Sequence, residues 1–351
     1  MDIEPEMTRA MKTFRRVARY GTAVGRIMVR EAGLFNWQRV ERLIEADLHD
    51  ALRILLETRY GKYLEGVTVS KEIEDGLQRF MADEYRFLDE VCAGTLVAEF
   101  MHAKYDFHNL KVALKRLYFG GEEEEMISRL GSIDPGDLEL SVEKQRSGFL
   151  PGYMERAIER TRASRERLGD DPQILDTAIE RLFLERRLEL ARREKSRFLV
   201  SFARAAIDVA NLKLLLRGRG VGKGRDYFVE ALCEGGRLGK TLLLELAGES
   251  PERLNAKLLA TQYGRMLDKV LEAGEGSAGL SSLDRASDEF LVEKLGSSRR
   301  IAVGPERIVT YMMALENEVA MLRIVLMGKL HGVSSVTLEA RLSPVYSRGG
   351  P

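Results

Sequence analysis

The chain has 351 residues, 44% of them hydrophobic and 31% charged, and its 55 Lys and Arg residues balance 55 Asp and Glu residues at a formal net charge of zero. That length carries enough apolar material for two or three domains of ordinary size, and the balance excludes a global field that would draw in nucleic acid or an anionic membrane surface. Cys92 and Cys233 lie far apart in apolar stretches with neither a CxxC nor a Cys/His cluster, so neither a disulfide framework nor a zinc site is expected, and a reducing, cytosolic compartment is the natural setting.

The start, MDIEPEMTRAMKTFRR, carries acids and has no apolar core of the signal-peptide kind, and no run of about 18 apolar residues follows anywhere. Any membrane role is therefore expected to be peripheral. In LFNWQRVERL, Leu34, Phe35 and Val40 surround Trp37, which is expected to anchor the first connection to the core. Ile73, Leu77, Phe80, Met81, Phe87, Leu88 and Val91 then form one apolar stripe of helical period, while strand-type alternation is scarce along the whole chain. The fold class is all-α.

Breakers fall at Gly120-Gly121, Asp134 to Gly136, Gly169 to Pro172, Gly218 to Gly224, Gly235-Gly236, Gly274 to Gly279 and Gly304-Pro305, leaving segments of ordinary helix length between them. The acids Glu122 to Glu125 suit the first turn of a helix, where they would meet the positive end of its dipole. Thr177 to Phe198 alternates charge along its outer positions and reads as one long, solvent-laced helix. GRGVGKGR, from Gly218 to Arg225, lacks the spacing of a phosphate-binding loop and follows a helix; it reads as a helix end, with Gly218 or Gly220 as a left-handed cap, and then a basic connector. His102, Asp106 and His108 are too few, and too confined to one segment, for a metal site. The ending Ser343 to Pro351 reads as a frayed tail.

Self-similarity supplies the strongest signal. YDFHNLKVALKR (Tyr105 to Arg116), AIDVANLKLLLR (Ala206 to Arg217) and NEVAMLRIVLMG (Asn317 to Gly328) align without gaps. Asp106, Asp208 and Glu318 share a column, as do Asn109, Asn211 and Met321, then Leu110, Leu212 and Leu322, then Lys111, Lys213 and Arg323. Farther upstream, ETRYG at Glu57 to Gly61 echoes ATQYG at Ala260 to Gly264. Helical spacing puts the acid, the amide and the leucine of each copy on one face, so polar groups interrupt an apolar stripe. A carboxylate so placed costs several kcal/mol unless it is paired or hydrogen-bonded. Asp106, Asn109, Lys111, Asp208, Asn211, Lys213, Glu318 and Arg323 are accordingly read as a repeated structural latch, with direct partner contact as the alternative. Catalysis is not expected of them, because no His, Cys or Ser accompanies all three copies. The repeat suggests units at 1–120, 121–222 and 223–342.

These residues resemble the C-subunit family of V-type and A-type ATPases, related to the d subunit of the eukaryotic V-ATPase, with its pattern acid-x-x-Asn-Leu-Lys/Arg. The resemblance spans essentially the whole chain. It includes the segment from Tyr20 to Phe35, LLETRYG at Leu55 to Gly61, EGGRL at Glu234 to Leu238 and a closing helix ending in MGK at Met327 to Lys329. It departs from the pattern at Met321, where asparagine would stand. The resemblance implies a funnel of three pseudo-symmetric helical domains that receives the foot of a rotor shaft and rests on a membrane rotor ring. It implies a central-stalk coupling part for proton or sodium transport, monomeric within its complex, with no active site, cofactor or metal of its own. Without it, the repeat alone would suggest a generic helical scaffold for protein partners.

Overall fold

The computed structural model describes residues 4–120, 127–144, 148–272 and 277–342, and among these the regular structure is helical, with no strand. The α-helices are α1 (Glu4–Glu31), α2 (Trp37–Glu45), α3 (Leu48–Leu56), α4 (Gly61–Leu64), α5 (Ser70–Val91), α6 (Val97–Phe119), α7 (Pro135–Lys144), α8 (Gly152–Leu168), α9 (Pro172–Arg193), α10 (Arg197–Gly220), α11 (Arg225–Ala231), α12 (Lys240–Leu246), α13 (Pro251–Leu258), α14 (Gly264–Glu272), α15 (Ser277–Gly296), α16 (Pro305–Leu330) and α17 (Ser335–Arg341). The chain is all-α, as its periodicity demands. It divides into two compact units, one built from Met1–Ala98 with Val292–Pro351 and the other from Glu99–Leu291. Glu122 to Glu125 and the ending from Ser343 lie outside the described residues.

In the first unit α16 packs against α1, α3, α5 and α17. Its buried Ile308, Met312, Leu315, Val319, Leu322 and Leu326 recur every three or four residues, and the stripe read on α5 is buried at Ile73, Leu77, Phe80, Met81, Phe87 and Leu88. Each such side chain contributes about 1.5–3 kcal/mol when taken out of water. Asn36 starts α2 by accepting from the Arg39 N–H at 3.1 Å, and Asp47 starts α3 by accepting from the Asp50 N–H at 2.8 Å. Trp37 turns out to be only partly buried at the head of α2, and the buried anchors of this connection are its neighbours Phe35 and Val40.

In the second unit α8, α10 and α11 pack on α9. One core joins Phe107, Leu110 and Leu114 of α6 to Leu138, Met154, Ile158, Leu175, Ile179 and Leu182. Another joins Val209, Leu212 and Leu215 of α10 to Phe228, Leu243, Leu254, Tyr263 and Leu267. The single helix expected from Thr177 to Phe198 is in fact broken. α9 stops at Arg193, Lys195 takes a left-handed φ of 59°, and Ser196 caps α10 by accepting from the Leu199 N–H at 3.1 Å. Nor is α9 solvent-laced. Ten of its residues are buried, including Arg186, whose guanidinium lies 3.9 Å above the Tyr153 ring and reaches Glu99 and Glu189 at 2.9 Å each. The alternating charges pair at the edge of the core, a buried Arg186 with half-exposed carboxylates.

The glycine-rich connector after α10 also differs in detail from its reading. Gly222, at φ 69°, takes the left-handed position, whereas Gly218 is helical and its missing side chain makes room for the Phe228 ring, 2.8 Å from where a Cβ would sit. Gly279 lies inside α15 instead of ending a helix.

Candidate functional site

The three aligned acids are all buried. Asp106 is 1% exposed, and Asp208 and Glu318 are 0% exposed; a bare carboxylate there would be prohibitively costly. Each is satisfied by backbone N–H of a loop and by a hydroxyl, the loop following the acid in the first two copies and preceding it in the third. Asp106 accepts from the N–H groups of Ser132 at 2.7 Å and Ile133 at 3.1 Å, and from the Ser132 hydroxyl at 2.7 Å. The Tyr153 hydroxyl stands at a long 3.4 Å. Asp208 accepts from the N–H groups of Arg237 at 2.8 Å and Leu238 at 3.0 Å, and from the Tyr263 hydroxyl. Glu318 accepts from the Phe35 N–H, from the Tyr60 hydroxyl at 2.5 Å and from the Arg59 guanidinium at 3.0 Å.

These partners lie far from the acids in sequence, which is why the repeat helices alone did not disclose them. A signal was present: Gly33-Leu34-Phe35, Gly131-Ser132-Ile133 and Gly236-Arg237-Leu238 share a glycine two residues before a buried apolar residue. The glycine is needed in two of them for space. A Cβ on Gly131 would come within 2.6 Å of Asp106 Oδ1, and one on Gly236 would land on the Asp208 carboxylate.

The amides complete the same loops. Asn109 donates to the Ser128 carbonyl and accepts from its N–H, both at 2.8 Å. Asn211 treats Cys233 identically, at 2.8 and 2.9 Å. His102, buried beside Asn109's loop, places Nδ1 2.6 Å from the Leu130 carbonyl and so is committed to backbone. In the third copy Met321 is buried and can make no such pair. There the cation Arg59 enters instead, bridging Glu318 and the Tyr311 hydroxyl at 3.0 Å each, and Tyr311 donates onward to Glu84 at 2.8 Å. Burial works against the Arg59 charge, but Tyr60, Tyr311 and Glu318 outweigh it and raise its pKa further.

The ETRYG and ATQYG segments fold into the same turn. Thr58 and Thr261 donate to the carbonyls of Leu55 and Leu258 at 2.7 and 2.6 Å, and accept from the N–H of Tyr60 and Tyr263 at 3.2 Å. Each turn aims its tyrosine at an aligned acid. Around Asp208, burial lifts the carboxyl above the ordinary range, while the Tyr263 hydroxyl and the two N–H groups pull it back. Burial and the adjacent carboxylate push the Tyr263 phenol well up, so it stays a proton donor.

The aligned cations diverge. Lys213 pairs with Asp284 at 2.7 Å, and Arg323 grips Glu74 with two bonds of 2.6 and 2.9 Å. Lys111 makes no ion pair among the described residues; Asp176 of α9 is taken by Lys115, one turn on from Lys111, at 2.8 Å. Lys111 instead lines a cleft between α6 and α9. The acid, amide and leucine columns thus converge on equivalent geometry in the first two copies, the acid and leucine alone in the third, and the cation column does not.

The fold and these clusters define an all-helical protein whose buried carboxylates, among the described residues, hold backbone loops. A family model described as ATP synthase (C/AC39) subunit matches residues 23–341, and the chain belongs to that family. It is 27% identical over 347 residues to the C subunit of the A-type ATP synthase of Haloferax volcanii, covering 91% of this chain and 96% of that protein. It is 24% identical to the C subunit of the A-type ATP synthase of Methanocaldococcus jannaschii, covering 93% and 86%. To the C subunit of the V-type sodium ATPase of Enterococcus hirae it is 25% identical, covering 90% and 96%.

Proposed function

We propose that this chain is the non-catalytic C subunit in the central stalk of a V-type or A-type rotary ATPase, coupling the shaft of the soluble motor to the membrane rotor ring during proton or sodium transport. The observation that carries this reading is the family match from residue 23 to residue 341, supported by relatives named as the C subunit of both A-type and V-type machines. No helix among the described residues is long and apolar enough to cross a membrane, which suits a part attached to a membrane ring from the cytoplasmic side. The latches suit it too. A coupling part must resist twist, and carboxylates fixed by several bonds each tie loops rigidly to long helices. On this reading the latch acids and amides Asp106, Asn109, Asp208, Asn211 and Glu318 are structural, Lys213 and Arg323 support their helices through ion pairs while Lys111 has left the latch, the repeats at 1–120, 121–222 and 223–342 form a three-domain funnel, and ATP chemistry belongs to other subunits.

The test is reconstitution. Purified chain is mixed with the shaft subunits and with the detergent-solubilised ring and run on a sizing column. Co-elution with both, and no nucleotidase activity of the chain alone, is expected. Failure to bind either partner overturns the proposal.

A further inference from the structure

Helix α1 buries one face, at Tyr20, Ala23, Val24 and Ile27, and packs there on α16. Its opposite face carries no charge. Phe14, Ala18, Gly21, Gly25 and Met28 follow one another along it in steps of four and three, and in sequence the same spacing runs back through Met11 to Met7. That alternation keeps a straight seam along a helix, and it is the spacing by which two helices pack side by side. Phe14 is 74% exposed and Met28 54%, and Val17 and Val29 at the edges of the seam are exposed as well. From Phe14 to Arg19 the helix is open to solvent on every side.

Two features of α1 are unfavourable in the free chain and favourable beside another helix. The first is glycine. A glycine inside a helix is destabilising relative to alanine, yet a side chain on Gly25 would meet nothing within 4 Å, and one on Gly21 only an ordinary contact with Val17 at 3.6 Å. No packing within the chain calls for either. With Ala18 they leave a flat track that a second backbone can approach more closely than it could over large side chains. The second feature is like charge. Every charged residue of α1 between Glu6 and Glu31 is a cation. Arg16, Arg26 and Arg30 are met by Glu306, Glu90 and Glu84. Arg15, beside the seam, has Lys12 three residues before it and Arg19 four after it, and like charges so placed weaken a helix.

We propose that this face of α1 docks an α-helix of a partner protein, one with an apolar seam and a row of carboxylates along its edge. The small residues admit that helix, Phe14 and Met28 hold it at either end, and its carboxylates pair with Arg15 and the cations next to it. A lipid surface would favour large apolar side chains along the whole face, whereas this face is small in its middle. A second copy of α1 would bring the same cations and no acid. The inference does not rest on the rotor reading, since it uses one helix of the first unit alone.

Fluorescence anisotropy with the full chain tests it, using two labelled synthetic helices of three heptads. Both have a seam of leucine and alanine; one is flanked by glutamate, the other by lysine. Saturable binding of the glutamate helix is expected with a Kd of about 100 µM or tighter, weakened about fivefold or more between about 50 and 300 mM salt, and the lysine helix should not bind. Arg15→Glu should weaken the glutamate helix about fivefold. Gly25→Leu should weaken it about tenfold or more while the melting temperature stays unchanged or rises, because the site is open and leucine favours a helix. Absence of saturation by the glutamate helix, equal binding of the two helices, or undiminished binding by Gly25→Leu overturns the proposal. Flotation with phosphatidylcholine vesicles containing phosphatidylserine supplies the remaining arm. No binding is expected, and vesicle binding that Gly25→Leu strengthens would assign the face to lipid and overturn the proposal as well.

Discussion

Replacing Asp208 with asparagine tests the latch with the least change of shape. The buried carboxylate serves three donors: the N–H groups of Arg237 and Leu238, and the Tyr263 hydroxyl. An amide offers one oxygen and turns an NH2 toward at least one of them, and a buried donor without an acceptor costs about 1–3 kcal/mol. The exchange also removes the burial cost of the charge, the cost that raises the Asp208 carboxyl, so part of the loss is offset. The expected net is about 1–2 kcal/mol, which in a unit of this size lowers the melting temperature by about 2–8 °C. Melting curves of Asp208→Asn, Tyr263→Phe and the double variant provide the assay. Because the two groups share one bond, the double variant should lose about 0.5 kcal/mol or more less than the sum of the singles. Additive losses, or an Asp208→Asn protein that melts with the wild type, would refute the latch.

The pH dependence has a definite sign. The native pKa of Asp208 is raised, so between its unfolded and folded values the native state holds a proton that the unfolded chain has released. Its contribution to stability therefore declines as pH rises through that window and is constant above it; the stability of wild type minus Asp208→Asn, measured in denaturant from about pH 4 upward, should fall, and a rise would contradict the assignment. Gly236→Ala forces a methyl group onto the Asp208 carboxylate and should lower the melting temperature by several degrees, whereas Gly239→Ala, with open space at the same site, should not; equal melting of the two would remove the space argument. Arg59→Met leaves Glu318 buried without its cation, a loss of about 3–5 kcal/mol, and adding Glu318→Gln should recover part of it in urea titrations. Burial pushes the Cys233 thiol up to about 12, so the native protein should not label at this residue with iodoacetamide at pH 8, and urea should expose it; rapid native labelling found by peptide mass spectrometry would show a looser loop.

The sequence disclosed the helical class because apolar residues on α5 and α16 recur at a period that only a helix can bury on one side. It disclosed the aligned acids because three copies of one pattern stand out against an otherwise varied chain. It did not disclose their partners. Hydrogen bonds from Ser132, Leu238 or Phe35 come from backbone N–H groups, which every residue but proline possesses, so composition carries no trace of them. Tyr60 and Tyr263 were visible as part of a repeated turn, yet the direction in which their hydroxyls point is settled by Gly61 and Gly264, whose missing side chains let the turn close on the carbonyls of Leu56 and Leu259. The break at Lys195 escaped because a lysine in the left-handed region costs only about 1–2 kcal/mol, which the packing of α9 and α10 on each other outweighs. Met321 was legible as a departure, but not its compensation, since Arg59 lies more than 250 residues away along the chain.

The division of the chain into one contiguous unit and one made from both ends bears on the order of synthesis. Glu99–Leu291 holds both of its latches within itself, so it can fold while the ribosome is still working, as contiguous domains generally do. The other unit cannot. Phe35, Arg59 and Tyr60 receive their acceptor only when Glu318 emerges, 283 residues after Phe35, and until then the apolar faces of α1 and α5 have no α16 to cover them. The segment up to Ala98 is thus made before Glu318 and completed only after it, and during that interval its uncovered apolar faces are open to wrong contacts.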